Sequence, residues 1–201
     1  MKALLLIDIQ YDFLPGGSLA VPGGDAILPV VIRLQESFDL VVATQDWHPA
    51  GHHSFASSHE GRQLFETIDL QGLEQVLWPD HCIQETPGAD FTDAISWGRA
   101  EAIFRKGTEL TIDSYSGFYD NGHRKETGLA HYLRGRGVQE VYIAGLAADY
   151  CVYYTAKDAL KEGFVTHVVE DATRAISAEG FQKAKSDIEQ RGGRVMQSSE
   201  L

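Results

Sequence analysis

The segment from residue 140 to residue 169 reads EVYIAGLAADYCVYYTAKDALKEGFVTHVV, and it decides the fold class. An apolar strand over Glu140–Ala144 is followed by a short turn, a helix over Tyr150–Lys161 and a second apolar strand over Val165–Val169. Strands that are apolar without alternation are typical of sheets that are covered on both faces. A strand–helix–strand order implies a right-handed crossover between parallel strands. The segment therefore predicts an α/β fold.

The same alternation extends in both directions along the chain. The further predicted elements are strands over residues 1–9, Leu40–Thr44, Ala102–Lys106 and Val195–Met196, and helices that begin at an Asp25 N-cap or span Lys125–Arg134 and Ala178–Gln190. Between residue 45 and about residue 100 the periodicity breaks down, which is unusual inside a compact domain unless the loops are functional. No repeat or linker divides the chain, so we expect one domain over residues 1–201.

The composition limits the classes of function. A chain of 201 residues with 43% hydrophobic and 23% charged residues is typical of a globular protein. A formal net charge of −12 argues against nucleic acid and anionic membranes as partners. Two cysteines are too few for a disulfide framework, and the apolar run Ala3–Ile7 is too short for a signal peptide or a membrane span. We expect a cytoplasmic protein.

Cys151 is placed where a thiol becomes reactive, in the first turn of a predicted helix. Unsatisfied backbone N–H groups and the positive end of the helix dipole predict a lowered pKa for this thiol. The same N–H groups could hold an oxyanion after the sulfur attacks a carbonyl carbon. The alternative is a buried structural cysteine.

Four polar residues follow the ends of predicted strands: Asp8, Asp46, Lys106 and Cys151. The carboxyl ends of parallel strands meet at one edge of a sheet, so we expect these residues to converge there. Asp8, Lys106 and Cys151 would supply a base, a fixed cation and a nucleophile. The alternatives are a structural role for Asp8 and a surface position for Lys106.

A second group of residues has the chemistry of a metal site. Asp46 and His48 stand two positions apart after a strand, and His81 would complete a three-ligand set with open positions. This set suits zinc, iron or manganese. His52 and His53 stay open as additional ligands or as surface residues. Cys82 is interpreted as a packed thiol because neighbouring residues rarely point the same way.

Aromatic residues are frequent in the predicted loops, where they would wall a pocket for a flat, mostly apolar ligand. They are Phe13, Trp47, Trp78, Tyr115, Phe118 and Tyr150. Glu170–Ala172, after the strand that ends at Val169, is expected to be a structural loop cap.

Seven short motifs, in order along nearly the whole chain, together resemble the nicotinamidases of the isochorismatase-like cysteine hydrolases. They are DIQYDF at 8–13, GGSL at 16–19, DWHP at 46–49, WPDHC at 78–82, FRKG at 104–107, YSGF at 115–118 and GLAADYCV at 145–152. The resemblance implies a three-layer α/β/α sandwich with a six-stranded, mainly parallel sheet. It also implies hydrolysis of nicotinamide to nicotinate and ammonia, with pyrazinamide as a second substrate.

Roles for individual residues follow from the same resemblance. Cys151 would be the nucleophile, assisted by Asp8 and Lys106, and the backbone N–H groups of Ala147 and Cys151 would form the oxyanion hole beside a cis peptide bond at Leu146–Ala147. One divalent transition metal, zinc before iron or manganese, would be the cofactor. The implied metal ligands are Asp46, His48 and His81, and the implied substrate contacts are Phe13, Trp78 and Tyr115. The expected partner is a small aromatic amide, and a homo-oligomer is left open.

Two other readings of the sequence compete with this one. Another hydrolase on the same scaffold, such as an N-carbamoyl amidase or an isochorismatase, would generally lack the Asp46, His48 and His81 set. A flavodoxin-like nucleotide-binding module without enzymatic activity would need a glycine-rich loop directly after the first strand. Here the glycines come later, in two Pro-Gly-Gly turns.

Overall fold

A six-stranded parallel sheet forms the centre of the computed structural model, which describes residues 1–201. The elements are β1 (Lys2–Ile7), α1 (Leu28–Glu36), β2 (Leu40–Asp46), β3 (Thr67–Leu70), β4 (Leu73–Val76), β5 (Ala100–Lys106), α2 (Leu129–Gly135), β6 (Glu140–Leu146), α3 (Cys151–Lys161), β7 (Val165–Arg174), α4 (Ala178–Gln190) and β8 (Arg194–Met196). The strand order in the main sheet is β5-β2-β1-β6-β7-β8, and every neighbouring pair is parallel.

Helices cover both faces of this sheet and divide the core into two layers. Alternate residues of β1 show the division, since Leu4 and Leu6 pack in the layer that contains α1, whereas Leu5 and Ile7 pack in the layer that contains α2, α3 and α4. All four of these side chains are at most 1% exposed, which explains why the strand is apolar throughout. The predicted three-layer α/β/α sandwich is confirmed.

The predicted helix over Lys125–Arg134 begins too early. In the structure, α2 begins at Leu129, directly after Gly128 in a left-handed conformation (φ 89°). Residues 125–127 instead pair with the preceding loop, where the N–H of Thr127 donates to the carbonyl of Phe118. Tertiary hydrogen bonds therefore override a helical pattern at this end.

The first helix also begins later than the sequence suggests. Asp25 lies inside a short 3-10 helix over Gly24–Ile27 and is not the N-cap of α1. Strand β7 is longer than predicted and includes Glu170–Ala172, so these residues are not a loop. Asp171 nevertheless has a structural contact, because its Oδ1 accepts the N–H of Ser198 at 2.7 Å near the C-terminus.

The irregular region before β5 contains one regular feature that the sequence analysis missed. Strands β3 and β4 form a two-residue hairpin around Gln71 and Gly72, both with positive φ. Only Gln75 of this hairpin is buried. No helix in the structure has the length and apolarity needed to cross a membrane.

Candidate active site

The carboxyl ends of β1, β2, β5 and β6 bring the four predicted polar residues to one edge of the sheet. Asp8 follows β1, and Asp46 and Lys106 are paired in register as the last residues of β2 and β5. Cys151 opens α3 after the turn that follows β6. All four side chains are buried, with exposures between 0% and 6%.

Lys106 lies at the centre of this cluster. Its Nζ is 2.9 Å from Oδ2 of Asp8, 3.0 Å from Oδ1 of Asp46 and 3.5 Å from Sγ of Cys151. It also donates to the carbonyl of Ser114 at 2.8 Å. Burial alone would lower the pKa of Lys106, but the charges of Asp46 and Asp8 outweigh burial and hold it well above its ordinary value. The lysine is therefore a fixed cation.

Asp8 has the properties of a proton acceptor. The residue is fully buried and has a left-handed backbone (φ 47°). Its Oδ1 accepts the hydroxyl of Thr44 at 2.6 Å, whereas Oδ2 has only the ion pair with Lys106 and no aligned hydrogen bond. Burial raises the pKa of this carboxyl, and the charge of Lys106 offsets only part of that effect.

The expected lowering of the Cys151 pKa is wrong. Burial raises the pKa of this thiol well above its ordinary value, and the nearby charges of Asp8 and Asp46 raise it further, although Lys106 acts in the opposite direction. Desolvation and the neighbouring carboxylates therefore outweigh the effect of Lys106 on this pKa. A raised pKa favours the protonated thiol, which needs a base before it can attack.

Two backbone N–H groups next to the sulfur are free to bind an anion. Neither the N–H of Ala147 nor that of Cys151 donates a hydrogen bond within the protein. The peptide bond between Leu146 and Ala147 is cis, as the resemblance implies. Ala147 and Cys151 both line the adjacent cleft, so a developing oxyanion could reach these donors.

The three predicted metal ligands converge a few ångströms away. Oδ2 of Asp46 is 3.0 Å from Nε2 of His48 and 3.4 Å from Nε2 of His81, and all three side chains are buried. Nδ1 of His48 faces the carbonyl of Gly107 at 3.0 Å, and Nδ1 of His81 faces that of Pro79 at 2.8 Å. Since a carbonyl can only accept, each Nδ1–H is the donor, and each Nε2 points inward, where the lone pair of a neutral ring could bind a metal.

This arrangement fits a divalent cation. One carboxylate oxygen and the Nε2 atoms of two imidazole rings face a common point, where a metal ion could replace the proton that His48 shares with Asp46. Burial would raise the pKa of Asp46, but His48 and Lys106 outweigh burial and hold this pKa well below its usual range. Asp46 is thus an anion at all ordinary pH values, as a metal ligand must be.

The other histidines do not belong to this ligand set. The N–H of Ser54 donates to Nδ1 of His52, so Nε2–H of His52 faces the carbonyl of Ile112 at 3.3 Å. Burial lowers the pKa of His52 to about 4, and its ring packs against His48 with centroids 4.4 Å apart. His53 instead packs against the ring of His59. Cys82 is fully buried in the core, as predicted for a packed thiol.

A small cleft is lined by both the cysteine and the metal-ligand cluster. Most of its lining was predicted from the sequence, namely Phe13, Trp78, Tyr115, Tyr150, Asp46, His81, Ala147 and Cys151, with Leu19, Asp113 and Ile176 in addition. Trp47 and Phe118, also expected to wall the pocket, do not line it. Its walls are aromatic and aliphatic, and it contains two carboxylates but no lysine or arginine. The shape and chemistry suit a flat, uncharged ligand.

A hydrogen-bond network behind the aromatic wall holds Tyr115 in place. The Tyr115 hydroxyl oxygen accepts Nε1–H of Trp78 at 3.1 Å and Nε2–H of Gln75 at 3.0 Å. Gln75 also donates to Asp113 at 3.0 Å. Sequence reasoning missed Gln75, because no local pattern connects the β3–β4 hairpin with the cleft.

The chain matches known proteins over nearly its whole length. The family model for the isochorismatase domain matches residues 2–200. A curated nicotinamidase from Acinetobacter baylyi is 49% identical over 178 residues, which cover 89% of this chain and 83% of that protein. A solved nicotinamidase/pyrazinamidase structure from Acinetobacter baumannii is 46% identical with a TM-score of 0.97, covering 100% of this chain and 97% of the other.

A third comparison concerns a metal complex. The structure of the pyrazinamidase of Pyrococcus horikoshii in complex with zinc is 40% identical, with a TM-score of 0.81 and 98% coverage of both chains. The resemblance inferred from the seven motifs is confirmed, since the family match and the structural matches extend over the sheet, the cleft and the ligand cluster. This chain belongs to the isochorismatase family.

Proposed function

We propose that this protein hydrolyses nicotinamide to nicotinate and ammonia, with pyrazinamide as a second substrate. The observation that carries the proposal is the lining of the aromatic cleft, which contains Cys151 as well as Asp46 and His81 of the metal-ligand cluster. An aromatic amide with a ring nitrogen has a carbonyl carbon for the sulfur and a lone pair for a metal. The curated Acinetobacter baylyi relative is a nicotinamidase, which supports the same activity here.

Asp8, Lys106 and Cys151 would carry out the first half of the reaction. Asp8 takes the proton of Cys151 on Oδ2 as the sulfur attacks the amide carbon, and the backbone N–H groups of Ala147 and Cys151 bind the oxyanion. The protonated Asp8 then gives this proton to the amine as the C–N bond breaks. Ammonia leaves, and the acyl group remains on the sulfur as a thioester.

The second half of the reaction reverses the proton transfers. Asp8, again an anion, takes a proton from a water molecule that attacks the thioester carbon. The C–S bond breaks, nicotinate leaves and the sulfur regains a proton. Throughout both halves, Lys106 keeps its positive charge and stabilises whichever of Asp8 and Cys151 is anionic.

Asp46, His48 and His81 would hold one divalent transition metal, for which we propose zinc, with iron or manganese as alternatives. When bound, the metal supplies a fixed positive charge that can orient the ring nitrogen of the substrate. Phe13, Trp78 and Tyr115 would contact the ring. Since Cys151 must stay reduced, a cytoplasmic location would suit the enzyme.

The second candidate, an N-carbamoyl amidase, is disfavoured by the charges of the cleft. N-Carbamoyl amino acids carry a carboxylate, which needs an arginine or lysine partner in a buried site. The cleft provides Asp46 and Asp113 and no basic side chain. The only cation nearby, Lys106, is already surrounded by Asp8 and Asp46.

Ammonia release from a substrate panel tests the proposal. The metal-loaded protein should hydrolyse nicotinamide and pyrazinamide, but not benzamide at a comparable rate and not N-carbamoylsarcosine. The Cys151→Ala variant should keep the fold and the metal and lose turnover. Ammonia release by this variant, or a preference of the wild-type protein for N-carbamoylsarcosine, would reject the proposed chemistry.

A further inference from the structure

The Thr44 hydroxyl makes the only hydrogen bond to the Oδ1 atom of Asp8. We propose that Thr44 is a positioning residue of the reaction, which holds Asp8 so that Oδ2 is the oxygen that exchanges protons with Cys151. This inference rests on the proposed function, in which Asp8 is the general base.

The contact between the two side chains is short and shielded from water. Oγ1–H of Thr44 donates to Oδ1 of Asp8 at 2.6 Å, a distance typical of a hydrogen bond from a hydroxyl to a carboxylate. Thr44 is 1% exposed and Asp8 is fully buried. The backbones are linked as well, because the N–H of Asp8 donates to the carbonyl of Thr44 at 3.3 Å. No water competes for this hydroxyl at such low exposure.

The two oxygens of the Asp8 carboxylate therefore differ. Oδ1 is occupied by the hydroxyl donor, whereas Oδ2 has only the ion pair with Lys106. A proton that arrives from Cys151 goes to Oδ2, the oxygen that accepts no aligned hydrogen bond. The hydroxyl also opposes rotation of the carboxylate about its terminal bond, which keeps Oδ2 beside Nζ of Lys106, the atom that lies 3.5 Å from Sγ of Cys151.

Packing on the other side of Thr44 fixes its rotamer. A Cβ atom added to Gly117 would lie 2.8 Å from Cγ2 of Thr44, so the threonine methyl group lies directly against the glycine backbone. The N–H of Gly117 donates to Oγ1 of Thr155 in α3 at 2.9 Å. The methyl group cannot exchange places with the hydroxyl without leaving this contact. This close approach explains the glycine in the motif YSGF at residues 115–118.

The charged and titratable groups around Asp8 are Lys106 from β5, Asp46 from β2, Cys151 from α3 and the buried thiol of Cys82. None of them replaces the donor at Oδ1, since Lys106 faces Oδ2. Without the hydroxyl, the anionic form of Asp8 loses a hydrogen bond while its buried position is unchanged. We expect the carboxylate to bind its proton more tightly and to lose its orientation.

The experiment compares two substitutions at one position. Thr44→Val keeps the shape and removes the hydroxyl, and Thr44→Ser keeps the hydroxyl and removes the methyl group. Thr166→Val is the matched control, because Thr166 is also a buried strand residue at 1% exposure, and its hydroxyl donates to the carbonyl of Phe164 at 2.9 Å. The measured quantities are kcat and KM for nicotinamide across about pH 5–9 with metal-loaded protein.

The Thr44→Val variant should lose roughly tenfold in kcat near neutral pH, as expected for a hydrogen bond to a charged group, with KM nearly unchanged. The acid limb of its kcat/KM profile should move up by about one pH unit. Thr44→Ser should recover the wild-type profile, and Thr166→Val should change thermal stability without moving the profile. If Thr44→Val does not fold, Thr44→Ala replaces it in the comparison with Thr44→Ser.

A Thr44→Val profile that overlays the wild-type profile would overturn the inference, as would equal losses in the Val and Ser variants. Asp8→Asn separates this failure from a failure of the proposed function. If Asp8→Asn is inactive and Thr44→Val is normal, only the positioning role is wrong. If Asp8→Asn retains turnover, the assignment of Asp8 as the base is wrong, and the positioning role is lost with it.

Discussion

Lys106 is bonded through Nζ to Oδ1 of Asp46 at 3.0 Å, while Oδ2 of the same carboxylate faces two histidine nitrogens. The lysine also lies 2.9 Å from Asp8. One buried ammonium thus connects the proposed catalytic triad with the proposed metal site. Two anionic carboxylates could not be buried so close together without it.

Replacing Lys106 by Met should therefore destabilise the fold as well as remove activity. Asp8 and Asp46 would lose their shared countercharge, and breaking such a buried ion pair costs about 3–5 kcal/mol. Urea unfolding of the metal-free protein measures the change. Lys183→Met is a control, since that exposed lysine pairs only with Glu179 on the surface of α4. Similar unfolding midpoints for the two variants would contradict the bridging role of Lys106.

Metal content should depend on His48 but not on its neighbour His52. The wild-type protein should contain about one transition metal ion per chain by elemental analysis, and His48→Ala should lose it. His52→Gln should retain the ion, because His52 is bonded to Ser54 and faces the Ile112 carbonyl and does not point into the ligand cluster. Loss of metal from His52→Gln, or its retention in His48→Ala, would reject the ligand assignment.

Gly107→Ala should weaken metal binding although glycine is not a ligand. A Cβ atom at this position would lie 2.5 Å from Cε1 of His48, so the ring would have to move. Gly137→Ala is the matched control, since Gly137 has a similar positive φ (72° against 64°) and nothing within 4 Å of an added Cβ atom. Both variants share the backbone strain, and only Gly107→Ala should require a higher metal concentration for half-maximal activity. If the metal concentration for half-maximal activity rises equally in both variants, backbone strain alone explains the effect.

Alkylation of Cys151 by iodoacetamide should be slow at neutral pH and accelerate into the alkaline range. Burial and the neighbouring carboxylates raise the pKa of this thiol, so the reactive thiolate forms only as pH rises above the ordinary thiol range. The alkylation rate of metal-free protein as a function of pH, followed by mass spectrometry, measures this behaviour. Mass spectrometry should find one adduct, because Cys82 is fully buried. An alkylation rate that no longer increases with pH above about pH 7 would indicate a lowered pKa for Cys151 and contradict the structure.

The sheet could be predicted well because buried parallel strands leave a simple signal. Continuous apolar runs such as Leu40–Thr44 and Glu140–Ala144 mark strands covered on both faces, and polar residues at their ends fall on one edge by geometry alone. The convergence of Asp8, Lys106 and Cys151 follows from these strand positions. Neither the β3–β4 hairpin nor the true beginning of α2 could be predicted, because both depend on contacts between distant segments.

The electrostatics of the cluster could not be derived from sequence. Local reasoning about the helix N-terminus predicts a lowered pKa for Cys151, but the pKa depends on the total burial of the sulfur and on Asp8 and Asp46. The hydrogen bonds by which Gln75 holds Tyr115 and Thr44 holds Asp8 could not be derived from the sequence either. Each joins residues at least 36 positions apart.

The sequence by itself determined the succession of main-sheet strands and helices along the chain and the types of reactive group at the strand ends, since both follow from local apolar patterns and from the direction of parallel strands. Only the tertiary structure decided which nitrogen of each histidine points inward, which oxygen of Asp8 is free and how strongly each proton is bound. These properties depend on distances of about 3 Å and on the exclusion of water, and both arise only when separate segments pack together.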